Sequence, residues 1–230
     1  MPPMNTPLTV PDTFTAPVDP EHSAVRLAVI GLFIAGWALG FFVLNALISS
    51  EGLNIIAILV SFALAALTTQ QAERVLKRRW PSGRVLQAAD GRVQIAQRGQ
   101  VQQEIRTGQQ VNALTWRFAI RRRSRVPKGW YMVACALEQD DVYIAVYTFM
   151  PPQAFEQLGA GGHFTPLISR KELNAGGAAQ GDLRMAGEQR RLHMAENARW
   201  NFGAEMTPDD FKRYVIWLQG RFPQWMPVVL

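Results

Sequence analysis

The sequence predicts an α+β membrane protein: an N-terminal hairpin of two transmembrane helices, then a body of short antiparallel strands closed by a C-terminal amphipathic helix. Three observations carry this. Residues 27–69 are almost wholly apolar, with one polar island at "SSEGLN" (49–54). After "KRRWPSG" the apolar period changes from helical to alternating, with turn residues between short runs. Near the end, "TPDDFKRYVIWLQGRF" reads as a capped helix with one apolar face.

The elements follow in chain order. Residues 1–23 form a tail with six prolines and three acids, a composition that propagates no helix and buries little. A disordered tail, or a strap extended along a partner, is expected. Residues 24–72 form the hairpin. "LAVIGLFIAGWALGFFVLNALI" (27–48) carries no charge and one polar side chain, Asn45. As a helix it extends about 33 Å, enough for a hydrocarbon core of roughly 30 Å. "LNIIAILVSFALAALTT" (53–69) is shorter but within the spanning range. In lipid the backbone must satisfy itself, so both runs are helices. The first is no cleavable signal: its apolar run is too long, its flank is acidic and no small-residue cleavage site follows.

Small residues recur where the helices would meet. Gly36 and Gly40 form a G-x-x-x-G pair, and Ser61 and Ala65 stand four apart on the second helix, a pattern that brings backbones close where lipid supplies no hydrophobic push.

Orientation comes from the cations at the helix ends. The "SSEGLN" turn has none, whereas the second helix runs into Arg74, Lys77, Arg78 and Arg79, with Trp80 as an interfacial anchor. The expected location is the cell (inner) membrane, multi-pass, with both termini cytoplasmic and the turn outside. Residues 71–128 hold fourteen Lys and Arg against three acids, while the rest of the chain to the end is slightly acidic, within a net charge of +6. So placed, the charge points first to anionic lipid and second to nucleic acid; no aromatic-interleaved basic helix or reader motif supports the second.

Residues 73–230 make the cytoplasmic body. Val85, Val93, Ile95, Val101 and Ile105 lie in runs split by Asp90-Gly91, Arg98-Gly99 and Thr107-Gly108, all hairpin signals. "GWYMVACALE" and "VYIAVYTFM", joined by "QDD", are the most buried strands. Between sheet strands lies a loop crowded with Arg121, Arg122, Arg123, Arg125 and Lys128. "PPQAFEQL" starts a short helix, residues 159–182 are loop-like, and 182–200 suit a helix interrupted by Gly187. In the last helix Thr207 caps, Pro208 takes the first position, and Phe211, Val215, Leu218 and Phe222 share a face.

With "LTWRFAI" and "VYIAVYTFMPPQAFEQL" in this arrangement, the chain resembles bacterial membrane-anchored proteins with a pleckstrin-homology-like domain, of the YcxB-like kind, over about residues 25–158 and 205–223. Residues 159–204 stand outside that pattern as an insertion. The resemblance implies a membrane-attached binding or scaffolding module, an accessory or assembly subunit with a membrane-protein partner or a second copy of itself. The alternative is a regulator that binds anionic lipid through Lys77–Trp80 and the Arg121–Lys128 loop.

Chemistry-bearing patterns are missing. His22, His163 and His193 fit no metal spacing, "GAGGH" (159–163) lacks the lysine and hydroxyl of a phosphate loop, and no nucleophile elbow occurs. Cys135, the single cysteine, reads as a small buried strand residue. No catalytic residue, cofactor, metal or small-molecule substrate is expected.

Overall fold

The computed structural model describes residues 11–20, 23–48, 54–89, 91–121, 126–158, 164–169, 172 and 183–226. They form two compact units: residues 19–82, and a body made of residues up to Val18 together with Gly83 onward.

The helical unit contains α1 (Ser23–Ile48) and α2 (Ile55–Arg79), packed on each other. Both are long and apolar enough to cross a membrane. Asn54 caps α2: its Oδ1 accepts from the Ile56 N–H, and its own N–H donates to Asn45 Oδ1 at 3.0 Å. The one polar side chain of the first apolar run thus meets the orphan backbone at the start of the second helix. The first five residues of the "SSEGLN" island lie outside the described residues.

The body contains two sheets. The first has the order β1-β2-β3-β4, all antiparallel, from β1 (Phe14–Pro17), β2 (Arg84–Ala89), β3 (Arg92–Gln97) and β4 (Gln100–Arg106). Between Gln97 and Gln100 the chain reverses through Arg98 and Gly99, both at positive φ (50° and 85°), the conformation a two-residue hairpin turn requires. The second sheet is mixed, in the order β8-β5-β6-β7-β9. Its antiparallel centre is β5 (Asn112–Ala119), β6 (Tyr131–Gln139) and β7 (Val142–Met150). The two-residue strands β8 (Thr165–Pro166) and β9 (Ala204–Glu205) flank it in parallel.

Two sequence expectations change here. The Pro-rich tail is not wholly without structure: Phe14, Ala16 and Val18 are buried, and β1 pairs with β2 from Phe14↔Ala88 to Pro17↔Val85. An edge strand tolerates Pro17 because one side of its backbone needs no ladder partner. The strap therefore lies along the chain's own sheet. Thr107-Gly108 is not a hairpin turn either, because β4 and β5 belong to different sheets. The side-chain amide of Gln139 bridges them there, accepting from the Arg106 N–H at 3.0 Å and donating to the Arg106 carbonyl at 2.9 Å.

Strands β6 and β7 are buried on both faces, which explains their near-continuous apolar sequence. Val133, Cys135, Leu137, Ile144 and Val146 point into the main core with Phe14, Leu86, Ile95 and Ile105. Met132, Ala134, Ala136, Ala145 and Phe149 point the other way, into a second core with Trp116, Leu192 and Ala195. The main core is covered by α5 (Pro208–Arg221), whose Phe211, Tyr214, Val215, Trp217 and Leu218 are buried. Thr207 caps α5, accepting from the Asp210 N–H. The second core is covered by α4 (Leu183–Phe202), and the short α3 (Pro152–Gln157) buries Phe155.

Candidate functional site

The four small residues of the hairpin come together. A Cβ at Gly40 would lie 3.3 Å from the Ser61 Cβ, and one at Gly36 would lie 3.9 Å from the Ala65 Cβ. Ser61 and Ala65 are buried in this seam with Ala57, and the Ser61 hydroxyl donates to the Ile58 carbonyl within its own helix. A serine here keeps its polar group satisfied without needing a partner across the interface. Away from the seam, Phe62 packs edge-on against Phe33 and Trp37. Leu27, Leu39, Phe42, Leu47, Ile55 and Leu59 are among the large apolar side chains left exposed.

The basic groups fall in both units: Lys77 to Trp80 close α2, and Arg121 to Lys128 belong to the connection between β5 and β6. Lys77 forms an ion pair with Glu73 one turn back, at 3.0 Å. Arg79 ends α2, and Trp80, about half exposed, closes it by donating its N–H to the Leu76 carbonyl. The side chain of Arg78 lies outside what is described, as do Arg122, Arg123 and Arg125. Arg121 approaches Glu172 at 3.9 Å, both well exposed, and Lys128 is exposed on the same connection between β5 and β6. Hydrogen bonds from Ser169 hold the Glu172 carboxyl below its usual range, with Arg121 adding a smaller pull.

The region read as an insertion supplies what the sequence did not disclose. Helix α4 is fastened to the second sheet by a buried polar chain. The Trp116 Nε1 donates to Glu196 Oε2 at 2.9 Å, and Arg199 donates to both Glu196 oxygens at 2.8 and 2.6 Å. The Arg199 guanidinium, 5% exposed, also lies 4.7 Å from the centre of the Tyr147 ring. A bidentate, ring-stacked arginine suits burial because its planar fork is satisfied on one side and its face covered on the other. The only sequence trace of this was a Glu-x-x-Arg spacing on a possible helix.

A second tie joins α4 to the sheet. Arg191 donates to Glu138 at 2.5 Å, and Glu138 also accepts from the Tyr143 hydroxyl at 2.7 Å. Burial alone would raise the Glu138 carboxyl, but the bonds from Arg191, Tyr143 and Asn112 outweigh it and hold the group below its usual range. The same pairing, with burial as the larger cause, pushes the Tyr143 phenol up to about 12. Burial pushes the Cys135 thiol up to about 12 as well, which keeps it protonated and unreactive.

The last turn of α4 meets the start of β2. Arg84 donates to the Phe202 carbonyl at 3.0 Å, to the Gly203 carbonyl at 3.3 Å and to Gln102 Oε1 at 2.8 Å. Gly203 ends the helix, and a Cβ there would come within 2.4 Å of the Arg199 carbonyl. An open cleft of about 730 Å³ lies at this end of the body, lined by Arg84, Gln97, Gln102, Gln103, Asn201 and Phe202. Its wall is mostly amide, with one cation and one ring.

Among the described residues no group of three or more His, Cys, Asp or Glu side chains converges to hold a metal. His193 bonds the Ile168 carbonyl, a structural contact; His22, His163 and the "GAGGH" stretch lie outside the described residues. Comparison of the chain with protein-family models, with curated proteins and with solved structures gives no match.

Proposed function

We propose that this chain is a non-enzymatic membrane adaptor, an accessory or assembly subunit whose cytoplasmic body docks a membrane-protein partner. The observation that carries the reading is the interruption of one sheet by the helix pair. Strands β1 and β2 are hydrogen-bonded neighbours, and the whole apolar pair lies between them in sequence. The chain on either side of the hairpin is paired strand to strand, so the anchor is inserted within the sequence of the body rather than appended to it. A body of four antiparallel strands, three more, and a closing helix also supports the pleckstrin-homology-like reading, with β8, β9 and α4 as additions.

The hairpin crosses the cell membrane, with the Lys77–Arg79 end and both termini in the cytoplasm. The alternative, a regulator sensing anionic lipid through its basic clusters, draws less support. Lys77 pairs with Glu73 and Arg121 approaches Glu172. Purification of the full chain from gently solubilised membranes tests the adaptor reading. A stoichiometric protein partner is expected; a clean monomer without one overturns it.

A further inference from the structure

Two arginines of the body lie against aromatic rings, and they differ in one respect. Arg199 packs on Tyr147 and donates to both oxygens of Glu196. Arg117, on β5, has its guanidinium centre 5.1 Å from the centre of the Tyr131 ring and 5.0 Å from that of Phe155. Those two rings are 5.4 Å apart and form one aromatic wall behind it. No carboxylate completes this second arrangement: among the described residues Arg117 forms no ion pair and its side chain donates no hydrogen bond. Its Nε is buried without an acceptor, while the residue as a whole is partly exposed. A buried N–H left unmet is costly, so the absence of an acceptor calls for a reason.

A second unmet group stands in the same row of the sheet. The ladder sets Arg117 beside Val133 and Val133 beside Thr148, and residues directly opposite one another share a face. Thr148 is 1% exposed and its hydroxyl has no partner. Both unmet groups can donate, and the complement of a row of donors is an oxyanion. The sequence around them carries the matching sign. From Arg117 to Val133 it holds six Lys and Arg and no Asp or Glu, which raises the local potential for an anion. Glu172, which Arg121 approaches, comes from outside this stretch.

We propose that Arg117 is the seat of a phosphoryl oxyanion, held by the edge of the guanidinium with Tyr131 and Phe155 as its backing. The guanidinium fork matches two oxygens of such a group. A phosphoryl group fits better than a carboxylate because a hairpin so rich in cations favours the more highly charged anion. The group arrives on a soluble phosphate ester or on a phospholipid headgroup, and the chemistry at Arg117 is the same for both. All of these residues belong to the body, so the site stands independently of the hairpin and of the adaptor reading.

The test uses the full chain in dodecyl maltoside, a detergent without phosphate, dialysed to equilibrium against radiolabelled glycerol 3-phosphate. Saturable uptake of a single equivalent is expected. Arg117→Met should abolish it, and Arg117→Lys, which keeps the charge but loses the fork, should weaken it by about tenfold or more. Because the head of Arg117 makes no hydrogen bond in the protein, Arg117→Met should keep the ligand-free Tm of the parent chain. It should lose only the rise in Tm that the ester produces. Arg117→Lys reads the same loss should the methionine variant fail to fold. Arg121→Gln/Lys128→Gln should change uptake only slightly. Absence of saturable uptake overturns the proposal, as does uptake that the folded Arg117 variants retain. Uptake lost equally in Arg121→Gln/Lys128→Gln marks diffuse attraction and overturns it too. Acetate competing as well as inorganic phosphate makes the site one for carboxylates, which also overturns it. Short-chain phosphatidylglycerol that displaces the ester at lower concentration than inorganic phosphate assigns the site to a lipid headgroup. Displacement by inorganic phosphate alone assigns it to a soluble ester, and either result upholds the seat at Arg117.

Discussion

The two units bring backbone close to backbone with opposite materials. In the helix pair the contact is made by what is missing: Gly40 faces Ser61 and Gly36 faces Ala65, with no side-chain bond across the seam at these positions. Where α4 meets the second sheet, contact is made by what is added, namely Glu196, Arg199, Trp116 and Tyr147 in one buried polar chain. Small-residue packing suits a surrounding as apolar as the side chains themselves, where area burial gives no preference. Buried charge suits a body in water, where a satisfied pair fixes one docking geometry and a broken pair is heavily penalised.

The sharpest way to break the contrast is Glu196→Ala, which strands the Arg199 guanidinium at 5% exposure and removes the acceptor of Trp116. A loss of about 3–5 kcal/mol is expected, read as a large fall in the Tm of the body. Next is Gly203→Ala, whose methyl group would collide with the Arg199 carbonyl. Relieving that clash shifts the end of α4 at a cost of about 1–3 kcal/mol, measured by denaturant unfolding.

Smaller effects sharpen the helical side. Gly40→Ala presses on Ser61 and should loosen the pair, whereas Gly31→Ala meets nothing within 4 Å and should stabilise α1 by about 0.5–1 kcal/mol. Helix–helix disulfide trapping in membranes distinguishes the two. The least effect is the pH response of Glu138. Because its native carboxyl is held below the ordinary value, its contribution is complete above the unfolded value and disappears as pH falls through the native one. Tm measured from pH 6 to pH 3 should therefore fall less steeply in Glu138→Gln than in the parent chain.

What was legible in the sequence were features written locally. The apolar runs announce α1 and α2 by length alone, Thr207-Pro208-Asp209-Asp210 announces α5, alternation split by turn residues announces β2 to β4, and near-continuous apolar runs announce β6 and β7. What was not legible depends on distant partners. Phe14-Thr15-Ala16-Pro17 is a strand only because Val85–Ala88 lies beside it, and that partner comes after the whole hairpin. The two-residue strands β8 and β9 have no period to read. Helix α4 was readable as a helix over 182–200 interrupted by Gly187, but its ties to Trp116 and Tyr147 exist only once the second sheet is in place. For the basic residues, the structure adds the acids that Lys77 and Arg121 approach, Glu73 and Glu172.

The pairing of Pro17 with Val85 has a consequence for biogenesis. A ribosome releases β1 well before its neighbour exists, so the nascent edge must wait, unzipped, while the whole helix pair is made. Only when residue 85 emerges can the first sheet close. Any factor that escorts this chain during synthesis has its moment in that interval.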